Sequence, residues 1–262
     1  MELKQLTEKV CFISKEVGKF IKQESQKLNI KDIEVKSKNS LVTYVDKEAE
    51  KKLVDFLSKL IPNSGFIAEE GTSVKKGETY NWVIDPLDGT TNFIHGIPVY
   101  CVSIALLKNN ELILGVIYEP NQKELFYAWK NGGAYLNGKS ISVSSTENIS
   151  DALLATGFPY YDYKKLAAYM DILTWLMYNT RGIRRIGSAA VDLAYVACGR
   201  FDGFYEYSLN PWDVAAGALI IMEAGGSVTD FKGEKNYLFG KEILASNLII
   251  RKEFADRIKN TF

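Results

Sequence analysis

The 262-residue chain holds a single histidine, His95, and three cysteines, Cys11, Cys101 and Cys198. One imidazole excludes HExxH and every zinc site built on two or three histidines. The cysteines are odd in number, far apart and without a CxxC pair, so they form neither a disulfide framework nor a zinc cluster. That usage fits a reducing, cytoplasmic setting. No cysteine is followed by arginine at the sixth position, so a cysteine-phosphatase loop is absent. Neither charge sign is in excess, with 32 Lys+Arg against 32 Asp+Glu, which argues against nucleic acid as the main partner. No apolar run nears the length of a membrane-spanning helix, and MELKQLTEKV is charged and amphipathic, unlike a signal peptide. What remains for catalysis is carboxylates, hydroxyls, backbone amides or a hard metal ion.

What is present is ordinary globular material, enough for one large domain or two small ones. Apolar residues at steps of three and four (Leu3, Leu6, Val10, Ile13, Val17, Phe20, Ile21) predict an amphipathic helix over 2–29. Leu41, Val42 and Val45 suggest an extended piece. Asp46 reads as the N-cap of a second helix without a full capping box, because the third residue after it is Ala49. Between Gly65 and Ser144 the period shortens. Runs at 66–68, 81–84, 99–107, 112–118, 124–129 and 140–143, divided by turn residues, predict an antiparallel meander. Beyond Ser150, strands at 153–156, 184–186, 204–207 and 227–231 alternate with helices at 163–178, 188–198 and 212–224, a layered α/β pattern. The expected organisation is two packed halves of one compact unit, 1–147 and 148–262.

The sharpest motif is Trp82-Val-Ile-Asp85-Pro-Leu87-Asp88-Gly89-Thr90-Thr91-Asn92. An apolar strand runs into Asp85, which Pro86 keeps extended. Pro-Leu-Asp-Gly then favours a tight turn, bringing the Asp85 and Asp88 carboxylates and the Leu87 carbonyl toward one point. Oxygen donors suit Mg²⁺, Mn²⁺ or Ca²⁺. Gly89-Thr90-Thr91 can open a helix whose amides face an anion. Glu69-Glu70, after 66–68, reads as a solvated turn unless a neighbouring strand brings Asp85 beside it. Asp213, opening an apolar helix after Trp212, fits either a first-turn acid favouring the helix dipole or a ligand.

Two matches to familiar patterns fail on context. Gly133-x₄-Gly138-Lys139-Ser140 has P-loop spacing, but Asn137-Gly138 is a hairpin signal and 141–144 alternates like a strand. Asp88-Gly89-Thr90 matches part of the aspartyl-phosphate motif DxDGT, but position 86 is proline and the covalent nucleophile is missing. His95 reads as a loop residue.

Taken together, Phe66–Glu70, Trp82–Phe93, Gly187–Ala190 and Trp212–Gly217 resemble, in order and spacing, the inositol monophosphatase family of magnesium-dependent, lithium-sensitive phosphatases. The resemblance covers nearly the whole chain. It implies a layered αβαβα sandwich of mixed α+β and α/β character, two to three Mg²⁺ ions per site, a small phosphorylated polyol or sugar as partner, and a homodimer. By that resemblance Glu69, Asp85 and the Leu87 carbonyl hold one ion, and Asp85, Asp88 and Asp213 a second. Glu69 also holds a third, weaker ion through water. Gly89 and Thr90 amides hold phosphate, and Thr90, bonded to Asp46, orients the attacking water with Glu69. Asp88, Gly187, Ser188, Ala189, Glu206 and Asp213 contact the substrate. The chain departs from the family at Ser40, where an acid often precedes Leu-Val-Thr in the loop Lys36–Asp46. The implied activity is hydrolysis of inositol monophosphate or a related sugar phosphate. Fructose 1,6-bisphosphate, histidinol phosphate and a non-catalytic binding role are the alternatives.

Overall fold

The computed structural model describes residues 2–27, 33–37, 40–73, 75–159 and 162–262, with the backbone alone for 33–37 and 40–42. Ser40 and the loop Lys36–Asp46 therefore fall largely outside the described side chains.

Five layers stack in the order helix, sheet, helix, sheet, helix. Helices α1 (Leu3–Glu24) and α2 (Tyr44–Leu60) cover one face of a seven-stranded sheet, and a two-stranded ribbon of β1 (Ile33–Ser37) and β2 (Ser40–Thr43) joins them. The sheet takes its strands in chain order: β3 (Gly65–Ala68), β4 (Tyr80–Asp88), β5 (Cys101–Lys108), β6 (Glu111–Glu119), β7 (Glu124–Trp129), β8 (Ala134–Leu136) and β9 (Lys139–Ile141). It is the expected meander, except that β3 pairs parallel to β4. Between β4 and β5 lies the short α3 (Thr90–Ile94). The second sheet comprises β10 (Leu153–Thr156), β11 (Gly182–Arg184), β12 (Gly203–Tyr207), β13 (Ser227–Thr229) and β14 (Glu242–Ser246), in the order β11-β10-β12-β14-β13. Helices α5 (Ala189–Ala197) and α6 (Pro211–Glu223) fill the space between the sheets, while α4 (Leu166–Asn179) and α7 (Arg251–Lys259) cover the outer face.

Strand alternation builds these layers. On β5, Cys101, Ala105 and Leu107 face the central helices, while Val102, Ile104 and Leu106 face α1 and α2. On β12, Phe204 points inward to α5 and Tyr205 outward to the α7 residue Phe254. Both faces of the central strands of each sheet are buried, so those strands read as nearly continuous apolar runs. The central helices are wrapped on all sides, which is why α5 and α6 are apolar nearly all round.

Several expectations are corrected. Asp46 is not an N-cap. Thr43 caps α2, its side chain accepting from Val45 N–H, and Asp46 sits at the third helical position. The Asp46 carboxylate accepts the Thr43 N–H at 2.8 Å, completing a capping box that spans Thr43 and Asp46. Val45 belongs to the helix and not to the extended piece. Strand β4 does not end in a tight turn at Pro86 but runs on to Asp88. Strand β11 ends at Arg184, so Arg185 and Ile186 lie beyond it. Strands β1, β8 and β14 and helix α7 lack a clear sequence signal; α7 buries only Phe254 and Ile258. The P-loop-like stretch is the β8–β9 hairpin, with Asn137 and Gly138 both at positive φ.

Candidate active site

The site begins with an irregularity in β4. Asp85 pairs with Ser103, and the next pairing is Asp88 with Cys101. Three residues of β4 thus advance against two of β5, a bulge that accommodates Pro86, which has no N–H for the ladder. In a regular strand, side chains three apart point to opposite faces. The extra residue puts Asp85 and Asp88 on the same face, toward α5 and α6. The Leu87 N–H donates to Asp85 Oδ1 at 2.9 Å, fixing the turn of the chain there.

Other elements meet this pair. Parallel pairing of β3 with β4 ends with the Glu69 N–H on the Ile84 carbonyl at 3.2 Å, which stands Glu69 beside Asp85. Helix α5 opens at Ser188, whose hydroxyl donates to Asp88 Oδ2 at 2.6 Å while the Ala190 N–H donates to the same oxygen at 2.7 Å. Asp213 lies in the first turn of α6 and accepts the Asn210 N–H at 2.7 Å. Glu206, from β12, is buried, and a Cβ at Gly157 would lie 2.1 Å from its carboxylate, so any side chain there would displace it. The Thr90 hydroxyl, at the start of α3, lies 3.1 Å from Asp46 Oδ1 and 3.0 Å from the Leu87 carbonyl.

Glu69, Asp85, Leu87, Asp88, Gly89, Thr90, Gly187, Ser188, Ala189, Glu206 and Asp213 all line one cavity. Asp46 stands behind Thr90, off the cavity wall. His95 is an exposed residue at the end of α3. Four residues without a sequence-assigned role also belong here. Asn92 donates from Nδ2 to the Val99 and Ile186 carbonyls, both at 2.8 Å, and so holds the approach to Gly187. Arg185 and Asp192 line the cavity. Glu50 grips the loop after Glu69. Only Asn92 lay inside a motif; the others had no signal beyond proximity in sequence to site residues.

The electrostatics are those of crowded acids. Burial, then Glu69, Asp88 and Asp213, push Asp85 well above the usual carboxylate range. Burial and Asp88 do the same to Asp213. Burial raises Asp88, with the Ser188 and Ala190 donors pulling the other way. Glu206 is raised by burial and by Asp213, against the opposing charge of Arg185. Among the described residues no three of the acids are drawn in to one centre as a finished cage; they stand around the cavity wall. The donor set is nevertheless all hard oxygen, and the Leu87 carbonyl keeps a second lone pair beside the one facing Thr90. Such a set fits Mg²⁺ and not a soft ion.

The chain is 42% identical over 239 residues to the Nus factor SuhB of Pseudomonas aeruginosa, covering 89% of this chain and 88% of that one. It is 39% identical over 243 residues to an inositol-1-monophosphatase of Rhizobium meliloti, covering 92% and 91%. The crystal structure of the extragenic suppressor protein suhB from Bartonella henselae superposes with a TM-score of 0.92 at 38% identity, over 98% of this chain and all of that one. A profile of the inositol monophosphatase family matches residues 2–261, and the chain belongs to that family of phosphoric monoester hydrolases.

Proposed function

We propose that the cavity hydrolyses inositol monophosphate or a closely related sugar phosphate, with Mg²⁺ held by Glu69, Asp85, the Leu87 carbonyl, Asp88 and Asp213. The observation that carries this reading is the β4 bulge, which turns Asp85 and Asp88 to one face opposite Asp213. When bound, the ions supply charge neutralisation, a water of lowered pKa and stabilisation of the leaving oxygen. The protein's own groups do the positioning on which phosphoryl transfer depends. Gly89 and Thr90 amides hold the phosphate. The Thr90 hydroxyl, backed by Asp46, and the Glu69 carboxylate orient a water opposite the ester oxygen. Its oxygen bonds to phosphorus as the ester P–O bond breaks, the water giving up a proton and the leaving oxygen taking one from solvent to depart as the alcohol, with inversion at phosphorus and no phosphoryl-enzyme. Glu206, Ser188 and the Gly187–Ala189 backbone face the polyol hydroxyls.

We read 1–147 and 148–262 as two halves of one unit, which the shared α5–α6 layer supports. The homodimer belongs to the same reading, supported by exposed Met170, Met177 and Tyr178 on α4. Among the described residues no helix is long and apolar enough to cross a membrane; a cytoplasmic setting rests on cysteine usage. The relative named as a Nus factor supports a second reading, a binding role that needs no turnover. The deciding experiment is a panel of inositol 1-phosphate, fructose 1,6-bisphosphate, histidinol phosphate and other sugar phosphates, assayed with Mg²⁺ and after chelation. Mg²⁺-dependent release of phosphate from an inositol phosphate is expected. No release from any member of the panel would favour the binding role.

A further inference from the structure

Helix α2 carries two buried acids four residues apart, Asp46 and Glu50. That spacing puts both on one face. Asp46 reaches forward to Thr90. Glu50, wholly buried, reaches the loop that follows Glu69. Its Oε2 accepts the Glu70 N–H at 2.7 Å, and its Oε1 accepts both the Thr72 N–H and the Thr72 hydroxyl, each at 2.7 Å. Gly71, at φ +67°, turns the chain so that the amides on either side of it converge on this one carboxylate. The Glu69 peptide is thereby held from both directions, by the Ile84 carbonyl before it and by Glu50 after it.

A carboxylate with three short donors from one small loop is a clamp. Charge-assisted bonds of this kind are about twice as strong as neutral ones. A ligand-bearing loop needs such support, because a donor displaced by about half an ångström loses much of its value to a cation. We propose that Glu50 is a positioning residue that sets where the Glu69 carboxylate stands and so tunes the affinity of the site for Mg²⁺. Helix α2 then acts as one rigid bar under both arms of the site, Thr90 through Asp46 and Glu69 through Glu50. This rests on the reading of Glu69 as a Mg²⁺ ligand.

The test uses the full-length protein, with Mg²⁺ alone as the probe. Calorimetric titration of Mg²⁺ in the absence of substrate is paired with the Mg²⁺ concentration for half-maximal hydrolysis. Glu50→Gln presents an amide donor to donors, and it should weaken Mg²⁺ binding by about tenfold or more. KM for substrate at saturating Mg²⁺ should change far less. Thr72→Val removes one donor from an exposed side chain and leaves the backbone N–H in place. It should weaken Mg²⁺ binding by about threefold, and it carries the test if Glu50→Gln does not fold. Glu69→Gln is run beside them. If it leaves Mg²⁺ affinity unchanged, the ligand reading fails and the proposal with it. If Glu69→Gln weakens Mg²⁺ binding while Thr72→Val and any folded Glu50→Gln do not, Glu50 is a structural clamp only and the positioning role is overturned.

Discussion

At Asp88 a single carboxylate oxygen takes two donors from the start of α5 while the side chain faces a cavity shared with five other acids. Asparagine at that position keeps an acceptor for both donors and removes the charge. Asp88→Asn and Asp213→Asn are therefore expected to fold and to lose on the order of 10³-fold or more in turnover, as expected when charge stabilisation worth several kcal/mol is removed. In chelated buffer each should melt higher than the parent, because one member of a repelling cluster is gone; a kinetic assay and a melting curve check both halves. Asp192 presents a cleaner case. It is buried, its Oδ1 has no hydrogen-bond partner among the described residues, and burial, Glu206 and Asp88 hold it well above the usual carboxylate range against the opposing charge of Arg185. A carboxyl raised on folding binds more protons in the folded than in the unfolded chain. Its contribution is thus fully present below the unfolded value of 3.8 and is lost as pH climbs through the folded one. Asp192→Asn escapes that loss. Its melting temperature should pull ahead of the parent's as pH rises above about 4 and converge with it in acid; a gap of constant size across pH would show that charge is not the cause.

Among the elements, the β8–β9 hairpin separates a sequence pattern from a function. Asn137 and Gly138 turn it in the left-handed region, and Asn137 Oδ1 accepts the Leu125 N–H at 3.0 Å. A Cβ at Gly138 would meet nothing within 4 Å, so only its φ of +83° resists a side chain. Gly138→Ala should then cost about 1–2 kcal/mol in a denaturant titration and leave hydrolysis and its Mg²⁺ dependence as they were. Loss of activity on that change would return Gly133–Ser140 to consideration as a phosphate loop.

The whole molecule depends on how closely its central helices approach the first sheet. Gly115 on β6 lies under Ala216 of α6, where an added Cβ would fall 2.8 Å from a backbone carbonyl oxygen and 3.1 Å from a Cα. Neither contact can yield as a flexible side chain would. Gly115→Ala should destabilise the protein by about 1–3 kcal/mol through overpacking. Because Ala216 is one turn along α6 from Asp213, lifting the helix also moves a site acid. Calorimetry should show the lost stability and a Mg²⁺ titration a weakened site; a destabilised variant with unaltered Mg²⁺ affinity would show that α6 tilts without carrying Asp213.

Much of this protein is local and therefore legible in its residues. Periodicity exposes α1, the body of α2, the strands of the meander and the apolar helices α5 and α6, because each element's burial is written at a spacing of two or of 3.6. The motif around Asp85 names its own chemistry, since carboxylates, a carbonyl and a glycine-threonine pair are oxygen and amide donors wherever they lie. The family resemblance adds Glu206, Ser188 and Asp213 to that centre. Short or weakly amphipathic pieces such as β8, β14 and α7 were not legible, because a few apolar residues acquire meaning only when a neighbouring layer covers them. The sequence places the cap of α2 three residues late, since Thr43 and Asp46 are both good capping types and only their mutual hydrogen bonds decide which is the cap. The sequence brings Asp85 and Asp88 together by a tight turn, and they do meet, but within a strand that runs on to Asp88, where residues three apart would otherwise diverge. The bulge against Ser103 and Cys101 turns them to one face, and that pairing belongs to β5, not to the motif. Glu50 and Asn92 likewise owe their places to partners 20 or more residues away, Glu70 and Ile186. Residue types set what chemistry the chain can do, and the register between strands and the meeting of helix ends set where it is done.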